Sequence, residues 1–263
     1  MEIRELNYIK ENQTMNYSVT KKLITGITAA ALLLTAGLPA AMAEEEMPTA
    51  DASVSIYSAY VWRGFGLSDD SIVIQPSMTV GYKGFAANLW GNLDTDYYAT
   101  SDAKYNETDI TLSYDGAYEK LGYGIGYIYY ALDATDDTQE IYGTLSYDML
   151  LSPTLTIYYD VDTFSGLYYV TFGISHSFAI GEKNSLDLGA LVSYMDDDEG
   201  YDEFHNGVLS ASMTFPLGKY FSLTPEVNYS FALSDEAEDY IKAGSADGDD
   251  NYFYGGATLS FAF

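Results

Sequence analysis

Cysteine is absent from this chain of 263 residues. Without cysteine a protein has no disulfide bonds, no thiol catalysis and no cysteine-ligated metal. Basic residues are also scarce, with 11 Lys and Arg against 39 Asp and Glu, so the formal net charge is −28. Because binding to nucleic acid requires a basic surface, this charge excludes nucleic acid as a partner.

Long apolar runs are missing after the first 43 residues, so the rest of the chain has no segment typical of a transmembrane helix. The chain is instead rich in tyrosine and glycine, with 27 and 23 residues. Apolar and polar residues alternate with a period of two, which indicates β-strands with two different faces. The length suits one domain, because barrels commonly run this long undivided.

The first 43 residues have the layout of a secretory signal peptide. Two lysines precede an apolar stretch over residues 23–38, and small residues follow it up to Ala43. We predict a signal peptide over residues 1–43, with Met15 as an alternative start, and a mature chain over residues 44–263. A single transmembrane helix is the other interpretation, but the apolar stretch is shorter than the roughly 20 residues that a spanning helix needs.

Turn residues and the alternation divide the mature chain into twelve predicted strands. The strands are predicted at 52–62, 71–82, 84–93, 107–115, 118–131, 139–149, 154–162, 166–178, 185–195, 206–216, 220–232 and 251–263. Short turns alternate with longer acidic loops between them, which is the asymmetry of an outer-membrane barrel. The sequence therefore predicts an all-β fold, a closed antiparallel transmembrane β-barrel of twelve strands with both termini on the periplasmic side.

The last predicted strand, 251–263, has an apolar face that includes Phe261 and Phe263 and an opposite face of mostly small or polar residues. A strand between lipid and a polar lumen needs this alternation. A carboxyl-terminal aromatic residue resembles the signal that the barrel-assembly machinery of bacteria recognises, and a soluble β-sandwich, the alternative fold, does not require one. We therefore predict Phe261 and Phe263 as the assembly signal.

Deletion of Phe263 is expected to abolish assembly into the membrane, because the closing strand would lose the residue that the assembly machinery recognises. Heat-modifiable migration of the truncated protein on gels measures this assembly. Normal migration of the truncated protein would contradict the role predicted for Phe263.

Residues predicted to face the lumen are candidates for a constriction that selects permeants. They are Arg63, Gln75, Asn88, Trp90, Asp109, Asp148, Asp160, Asp187 and Glu226. We expect Arg63 to meet one of the five acidic residues in this set. Such a pair either fills the lumen as a structural ion pair or places a selecting charge at a constriction.

Tyrosine is the most common aromatic residue, and adjacent tyrosines lie near the predicted upper strand ends. Amphipathic rings gather at membrane interfaces, so we predict an interfacial girdle. The alternative is a ladder of inward rings that binds sugars, with Trp90, Tyr130 and Tyr158 as its candidates.

Three segments near the start of the mature chain carry a family resemblance. Residues 55–64 end in Val-Trp-Arg-Gly, Gln75 is followed by Pro76, and residues 84–92 read Gly-Phe-Ala-Ala-Asn-Leu-Trp-Gly-Asn. This succession resembles the opening of the TorF-like porin family. The resemblance covers residues 52–94 and implies an outer-membrane pore or channel.

Catalytic residues have little support in this sequence, which contains two histidines, His176 and His205. Adjacent strand residues point in opposite directions, so neither Ser175 nor Ser177 can reach His176 directly. His205 follows an acidic loop, and we expect it to be solvated. We predict no enzymatic activity, no catalytic residues and no cofactor.

Two acidic loops, 196–199 and 247–250, offer oxygen ligands but lack the spacing of a calcium-binding loop. We predict no metal site and solvated loops, with loose cation bridging to lipopolysaccharide phosphates as the alternative.

The sequence favours a porin-like channel in the outer membrane of a Gram-negative bacterium, which passes small hydrophilic solutes by passive diffusion and mildly prefers cations. The alternative is a structural or surface-interaction barrel with a plugged lumen and cation-binding acidic loops. The expected partners are outer-membrane lipid, lipopolysaccharide and the barrel-assembly machinery. The permeant and the number of copies in an assembly stay open.

Overall fold

The computed structural model describes residues 47–98, 102–133, 135–181 and 183–262. The predicted signal peptide, residues 1–43, and Phe263 lie outside the described residues.

Twelve antiparallel strands close into one barrel, which confirms the predicted fold class and strand number. The wall strands are β1 (Thr49–Tyr57), β4 (Val73–Tyr82), β5 (Phe85–Tyr97), β6 (Asp102–Tyr118), β7 (Leu121–Leu132), β8 (Thr138–Tyr147), β9 (Thr154–Asp160), β10 (Tyr168–Ile180), β11 (Asn184–Asp196), β12 (Asp202–Leu217), β13 (Phe221–Ala232) and β14 (Tyr252–Ala262). Two short strands, β2 (Val61–Trp62) and β3 (Phe65–Gly66), pair only with each other. A helix, α1 (Asp235–Gly244), precedes the last strand.

The barrel closes where β1 pairs with both β4 and β14. The seam between β1 and β14 runs from the Asp51–Ala262 pair to the Tyr57–Gly256 pair. Ser55 and Thr258 also share a side-chain hydrogen bond of 2.8 Å across this seam. Because lipid offers no hydrogen-bonding partner to a sheet edge, this closure is what a spanning sheet requires.

The outer face of the wall is apolar, as the alternation predicts. Exposed side chains such as Val54, Leu112, Ile157 and Val227 lie on this face along four different strands. The opposite face of each strand turns into the lumen, where Ser, Thr, Asn and Gly are frequent. This distribution is the one that a transmembrane barrel needs.

The two ends of the barrel differ. The turn end carries the short connections and both Thr49 and Ala262, and the loop end carries the longer connections. Four lysines lie in the short connections, namely Lys83, Lys120, Lys183 and Lys219. The acidic segments lie at the loop end, so the molecule is polarised along the barrel axis as the sequence predicts.

The predicted first strand, 52–62, is wrong in its second half. The strand β1 ends at Tyr57, and the chain then folds inward before it returns to the wall at Val73. The reversal occurs at Arg63 and Gly64, which have φ angles of 49° and 90°. Two consecutive residues with left-handed φ produce a tight turn, and the glycine adopts it without steric cost.

The helix α1 lies in a segment predicted as an acidic loop. Ser234 caps its amino terminus by accepting a hydrogen bond of 3.0 Å from the Ala237 N–H. Acidic residues occupy its first turn and Lys242 its last, which suits the helix dipole. In the described part of the chain, no helix has the length and apolarity needed to cross a membrane.

Candidate functional site

The lumen has two halves with different contents. In the half near the turn end, the inward side chains are small, polar and only half-buried, and Ser53, Ser77, Thr144, Ser212 and Thr258 are examples. In the half near the loop end, inward side chains are buried, and Trp90, Tyr130, Tyr169, Met195 and Ser230 are examples. The first half is therefore open to solvent, whereas the second is filled by protein.

The filling comes mainly from residues 58–72, which we call the inner hairpin. Tyr60, Trp62 and Phe65 are its buried rings, and they pack with Trp90 and other wall residues in one apolar cluster. The Leu67 N–H donates to the Tyr60 carbonyl oxygen at 2.7 Å and holds the two arms together. The barrel therefore contains a hydrophobic core inside its lumen, in addition to the apolar surface outside.

The helix α1 covers the inner hairpin at the loop end. Ile241 is fully buried against the hairpin cluster, and the rings of Phe65 and Tyr240 lie 6.0 Å apart. The Ala246 N–H donates to the Gly66 carbonyl oxygen at 2.8 Å, which links the end of the helix to the hairpin. We call the inner hairpin and α1 together the plug.

Arg63 fastens the tip of the inner hairpin to the opposite wall through Glu140 on β8. The two guanidinium nitrogens donate to the two Glu140 carboxylate oxygens at 2.8 and 2.7 Å. The hydroxyl of Tyr130 donates to the same carboxylate at 2.7 Å. This bidentate, fully desolvated geometry is the strong form of an Arg–carboxylate contact.

Three aromatic rings surround the guanidinium group. Its central carbon lies 4.3 Å from the ring centroid of Trp62, 4.9 Å from that of Tyr158 and 4.5 Å from that of Tyr169. Burial alone would lower the pKa of Arg63, but the Glu140 carboxylate more than offsets this effect, so the pKa lies above its ordinary value. The arginine therefore stays charged inside the barrel.

The expected partners of Arg63 were wrong. The sequence predicted Asp109, Asp148, Asp160, Asp187 or Glu226, whereas the structure gives Glu140. The error has a physical cause, because Arg63 is not on the wall. The inward fold of the hairpin carries it across the lumen to a strand that a strand-by-strand register cannot connect with it.

His205 is fully buried, so the prediction of a solvated residue was wrong. It lies in β12, which begins at Asp202, several residues before the predicted start. A bulge in β12 places both His205 and Asn206 opposite Ser193, and both side chains turn inward. The ring of His205 lies between the Arg63 carbonyl oxygen, at 2.8 Å, and the Tyr201 hydroxyl, at 2.7 Å.

His176 lies on the outward face of β10, and its Nδ1 atom is 2.6 Å from the Leu150 carbonyl oxygen in the turn between β8 and β9. Its ring meets that of Phe178 edge to face at 4.5 Å. Both histidines therefore contact backbone carbonyl groups, which gives each of them a structural role.

The wall formed by β5 and β6 carries a group of acidic residues that face the inner hairpin. Asp94, Glu107 and Asp109 are buried there. The Tyr60 hydroxyl donates to one Glu107 oxygen at 3.2 Å. One carboxylate oxygen of each of the three residues is buried without a hydrogen-bond partner among the described residues.

The other predicted lumen residues fall into both halves. Gln75, Trp90 and Asp160 are buried in the filled half, where Gln75 donates to Asn92 at 3.1 Å and Asp160 accepts from Thr138 at 2.6 Å. The open half contains three of the predicted residues, namely Asn88, Asp187 and Glu226. Each of these side chains is half-buried and hydrogen-bonded to a polar neighbour.

Asp148 does not face the lumen. It is exposed in the turn between β8 and β9, where its N–H donates to the Lys120 carbonyl oxygen at 2.8 Å. The prediction failed because β8 ends at Tyr147, one residue before Asp148.

Phe261 lies on the outward side of β14 and contacts the rings of Tyr220 and Phe221. Its role in assembly stays a prediction.

Trp90, Tyr130 and Tyr158 point inward as the sequence predicted, but they do not form an open ladder. Tyr130 hydrogen-bonds to Glu140, Tyr158 stacks on Arg63, and Trp90 lies 5.8 Å from the Tyr60 ring. Their surfaces are therefore occupied by the plug and its anchor.

The acidic loops are partly ordered by their own carboxylates. One Asp197 oxygen accepts from the Tyr201 N–H, and the other accepts from the Tyr240 hydroxyl, both at 2.9 Å. Burial, with the added repulsion of Asp197, raises the pKa of Tyr240 above its ordinary value. Among the described residues, no group of three or more His, Cys, Asp or Glu has the arrangement of a metal site.

The closed sheet, the apolar outer belt and the polar lumen define the fold class of outer-membrane β-barrels. No family model matches the chain, and no curated protein is similar to it at the level of sequence. The resemblance to the TorF-like porin family therefore stays a prediction.

Solved structures share this fold at low sequence identity. The chain is similar to the NanC porin with a TM-score of 0.52 and 11% identity, over 81% of this chain and 98% of that one. For LpxR from Salmonella typhimurium the TM-score is 0.49 and the identity is 9%, over 81% of this chain and 100% of that one. For an outer-membrane channel from Pseudomonas putida F1 the TM-score is 0.48 and the identity is 11%, over 84% of this chain and 97% of that one. The likeness to NanC supports the fold and nothing beyond it.

Proposed function

We propose that this protein is a porin-like channel of restricted conductance, which lets small hydrophilic solutes diffuse across an outer membrane. The observation that carries the proposal is the lumen itself. Its half near the turn end is lined by small polar side chains open to solvent, inside a wall whose outer face is apolar. A barrel of twelve strands is only modestly wider than one of eight, which side chains can fill, so large permeants are excluded.

The charges of the lumen favour cations. Asp187 and Glu226 face its open half, and Asp109 lies where the open half meets the filled half. Arg63, the arginine within the described part of the chain, is neutralised by Glu140. A cavity lined by one sign of charge concentrates ions of the opposite sign, so we propose a cation preference.

The proposal includes no catalysis, because His176 and His205 each hold a backbone carbonyl group. The proposal also includes outer-membrane lipid and lipopolysaccharide as the partners that surround the barrel, and the barrel-assembly machinery as the partner that inserts it.

A second candidate function follows from the plug. Because the inner hairpin and α1 fill the loop end, the barrel also suits a structural or surface-interaction protein with a closed lumen. In that case its acidic loops would be the functional surface, and no solute would cross.

Planar-bilayer recording separates the two candidates. We expect purified, folded protein to give small discrete conductance steps, with a reversal potential that favours cations under a salt gradient. We expect small conductance steps because the plug fills the loop end of the lumen. We expect a preference for cations because the lumen is acidic. Silence from folded samples would favour the closed barrel, and anion selectivity would contradict the assignment of the lumen charges.

A further inference from the structure

Glu107 and Asp109 occupy a distinctive position on the inward face of β6. The next inward residues toward the turn end, Thr111 and Ser113, are half-buried in the open lumen, whereas Glu107 and Asp109 are 3% and 4% exposed. The pair therefore lies where the open half of the lumen meets the inner hairpin.

The two carboxylates are poorly compensated. They lie within hydrogen-bonding reach of each other. One Glu107 oxygen accepts a hydrogen bond from the Tyr60 hydroxyl. The second Glu107 oxygen and one Asp109 oxygen are buried without a partner among the described residues. Burying charge without a partner is costly, so either a proton shared by the two carboxyl groups or a cation must balance this pair.

Nearby basic residues are already occupied. Arg63 donates with both terminal guanidinium nitrogens to Glu140 on β8, which is two strands along the wall from β6. Lys104 is the single lysine or arginine in the sequences of β5 and β6, and it pairs with Asp133 at 2.7 Å. Neither side chain is therefore placed to neutralise Glu107 and Asp109.

Further unpartnered polar atoms lie toward the loop end, one on the wall and one on the inner hairpin. Asp94 on β5 has a buried carboxylate oxygen without a partner in the described part of the chain, and so has the hydroxyl of Ser71. Ser71 lies two residues before Val73, which pairs with Asp94. Buried polar atoms without a protein partner call for a ligand such as ordered water or an ion, and the cation dependence of stability separates a bound ion from a proton shared by the two carboxyl groups.

We propose that Glu107 and Asp109, with the Tyr60 hydroxyl, bind a partly hydrated monovalent cation that enters from the open half of the lumen, and that this site selects the ions passing the channel. The selection role rests on the proposed function, whereas the binding itself does not. Two carboxylates and one hydroxyl are fewer ligands than a resident calcium ion takes, which favours a weakly held ion that can leave again.

The test compares one variant pair with a matched control. Glu107→Gln with Asp109→Asn removes the two proposed ligands. Asp187→Asn with Glu226→Gln removes the same two charges from inward residues that already have hydrogen-bonding partners. The single variants Glu107→Gln and Asp109→Asn serve if the double variant does not fold.

The first readout needs no conduction. The melting temperature of folded protein in detergent is measured in potassium chloride and in N-methyl-D-glucamine chloride, at equal ionic strength and at pH 8. Potassium is expected to raise it by about 3 °C at saturating concentration in the wild type and in the control, but not in the Glu107 and Asp109 variant. A melting temperature that changes with pH and not with the cation would show a shared proton and overturn the proposal.

The second readout is the permeability ratio of potassium to chloride in bilayers. It is expected to fall about tenfold in the Glu107 and Asp109 variant and to change less in the control. An unchanged ratio in a conducting variant would overturn the selection role. Potassium-dependent stability in a protein that never conducts would leave the site standing and refute the proposed function instead.

Discussion

Replacing Glu140 with glutamine is expected to free the inner hairpin and increase the conductance of the barrel. The change leaves the Arg63 guanidinium buried without an anion, in a place where its side chain is 3% exposed. Removing one partner of a buried ion pair costs about 3–5 kcal/mol, which is more than the contacts at the tip of a hairpin can absorb. The hairpin should therefore leave the lumen, while the wall strands stay paired.

Two measurements check this result on the same preparation. Denaturant unfolding should show the lost stability, and single-channel recording should show larger conductance steps than the wild type. Glu119→Gln is the matched control, because Glu119 is exposed in the turn between β6 and β7 and its loss should change neither quantity.

A second variant distinguishes a lost ion pair from a lost contact. Replacing both Arg63 and Glu140 with methionine removes the charges together, and such replacements of buried pairs are often neutral or stabilising. The double variant should recover most of the stability and the small conductance. If Glu140→Gln unfolds at the wild-type denaturant concentration, the pair does not hold the plug.

Replacing Gly256 with alanine is expected to prevent stable closure of the barrel. Gly256 lies on β14 opposite Tyr57, within the seam between the first and last strands. A Cβ atom at this position would lie 1.9 Å from the Ile56 carbonyl oxygen and 2.7 Å from the Tyr57 ring. Because the first of these is backbone, the seam itself would have to move, at a cost of about 3 kcal/mol or more.

Heat-modifiable migration and thermal unfolding measure this effect. Gly143→Ala is the control, because Gly143 is also a strand residue of the wall and its nearest neighbour for a Cβ atom lies 4.0 Å away. The control should fold as the wild type does. Equal folding of the two variants would show that the seam can widen without loss.

The fold was predictable because each wall strand keeps its own period of two. In β13, for example, Leu223, Val227 and Tyr229 alternate with polar residues whatever the neighbouring strands do. A local pattern of this kind specifies two faces, and the short turns then specify the order of strands. All twelve wall strands follow from this information.

The plug could not be predicted in the same way. Alternation continues past Tyr57 through Tyr60 and Trp62, so the pattern alone extends the first strand and conceals its inward fold. The Arg63–Glu140 pair joins residues on separate segments whose proximity depends on that fold. The bulge that turns His205 inward likewise depends on how β12 pairs with β11, which the alternation within one strand does not show. The capping serine and acidic first turn of α1, by contrast, were visible in the sequence and were overlooked.

Trp62 and Trp90 are the two tryptophans of the whole chain, and both lie inside the barrel, one on the inner hairpin and one on the wall beside it. Intrinsic tryptophan emission is therefore a reporter of the plug and is blind to the lipid-facing belt. Movement of the hairpin into water would shift this emission to longer wavelength while the sheet, followed by circular dichroism, stays intact. The protein thus carries its own optical probe, which separates opening of the lumen from unfolding of the wall.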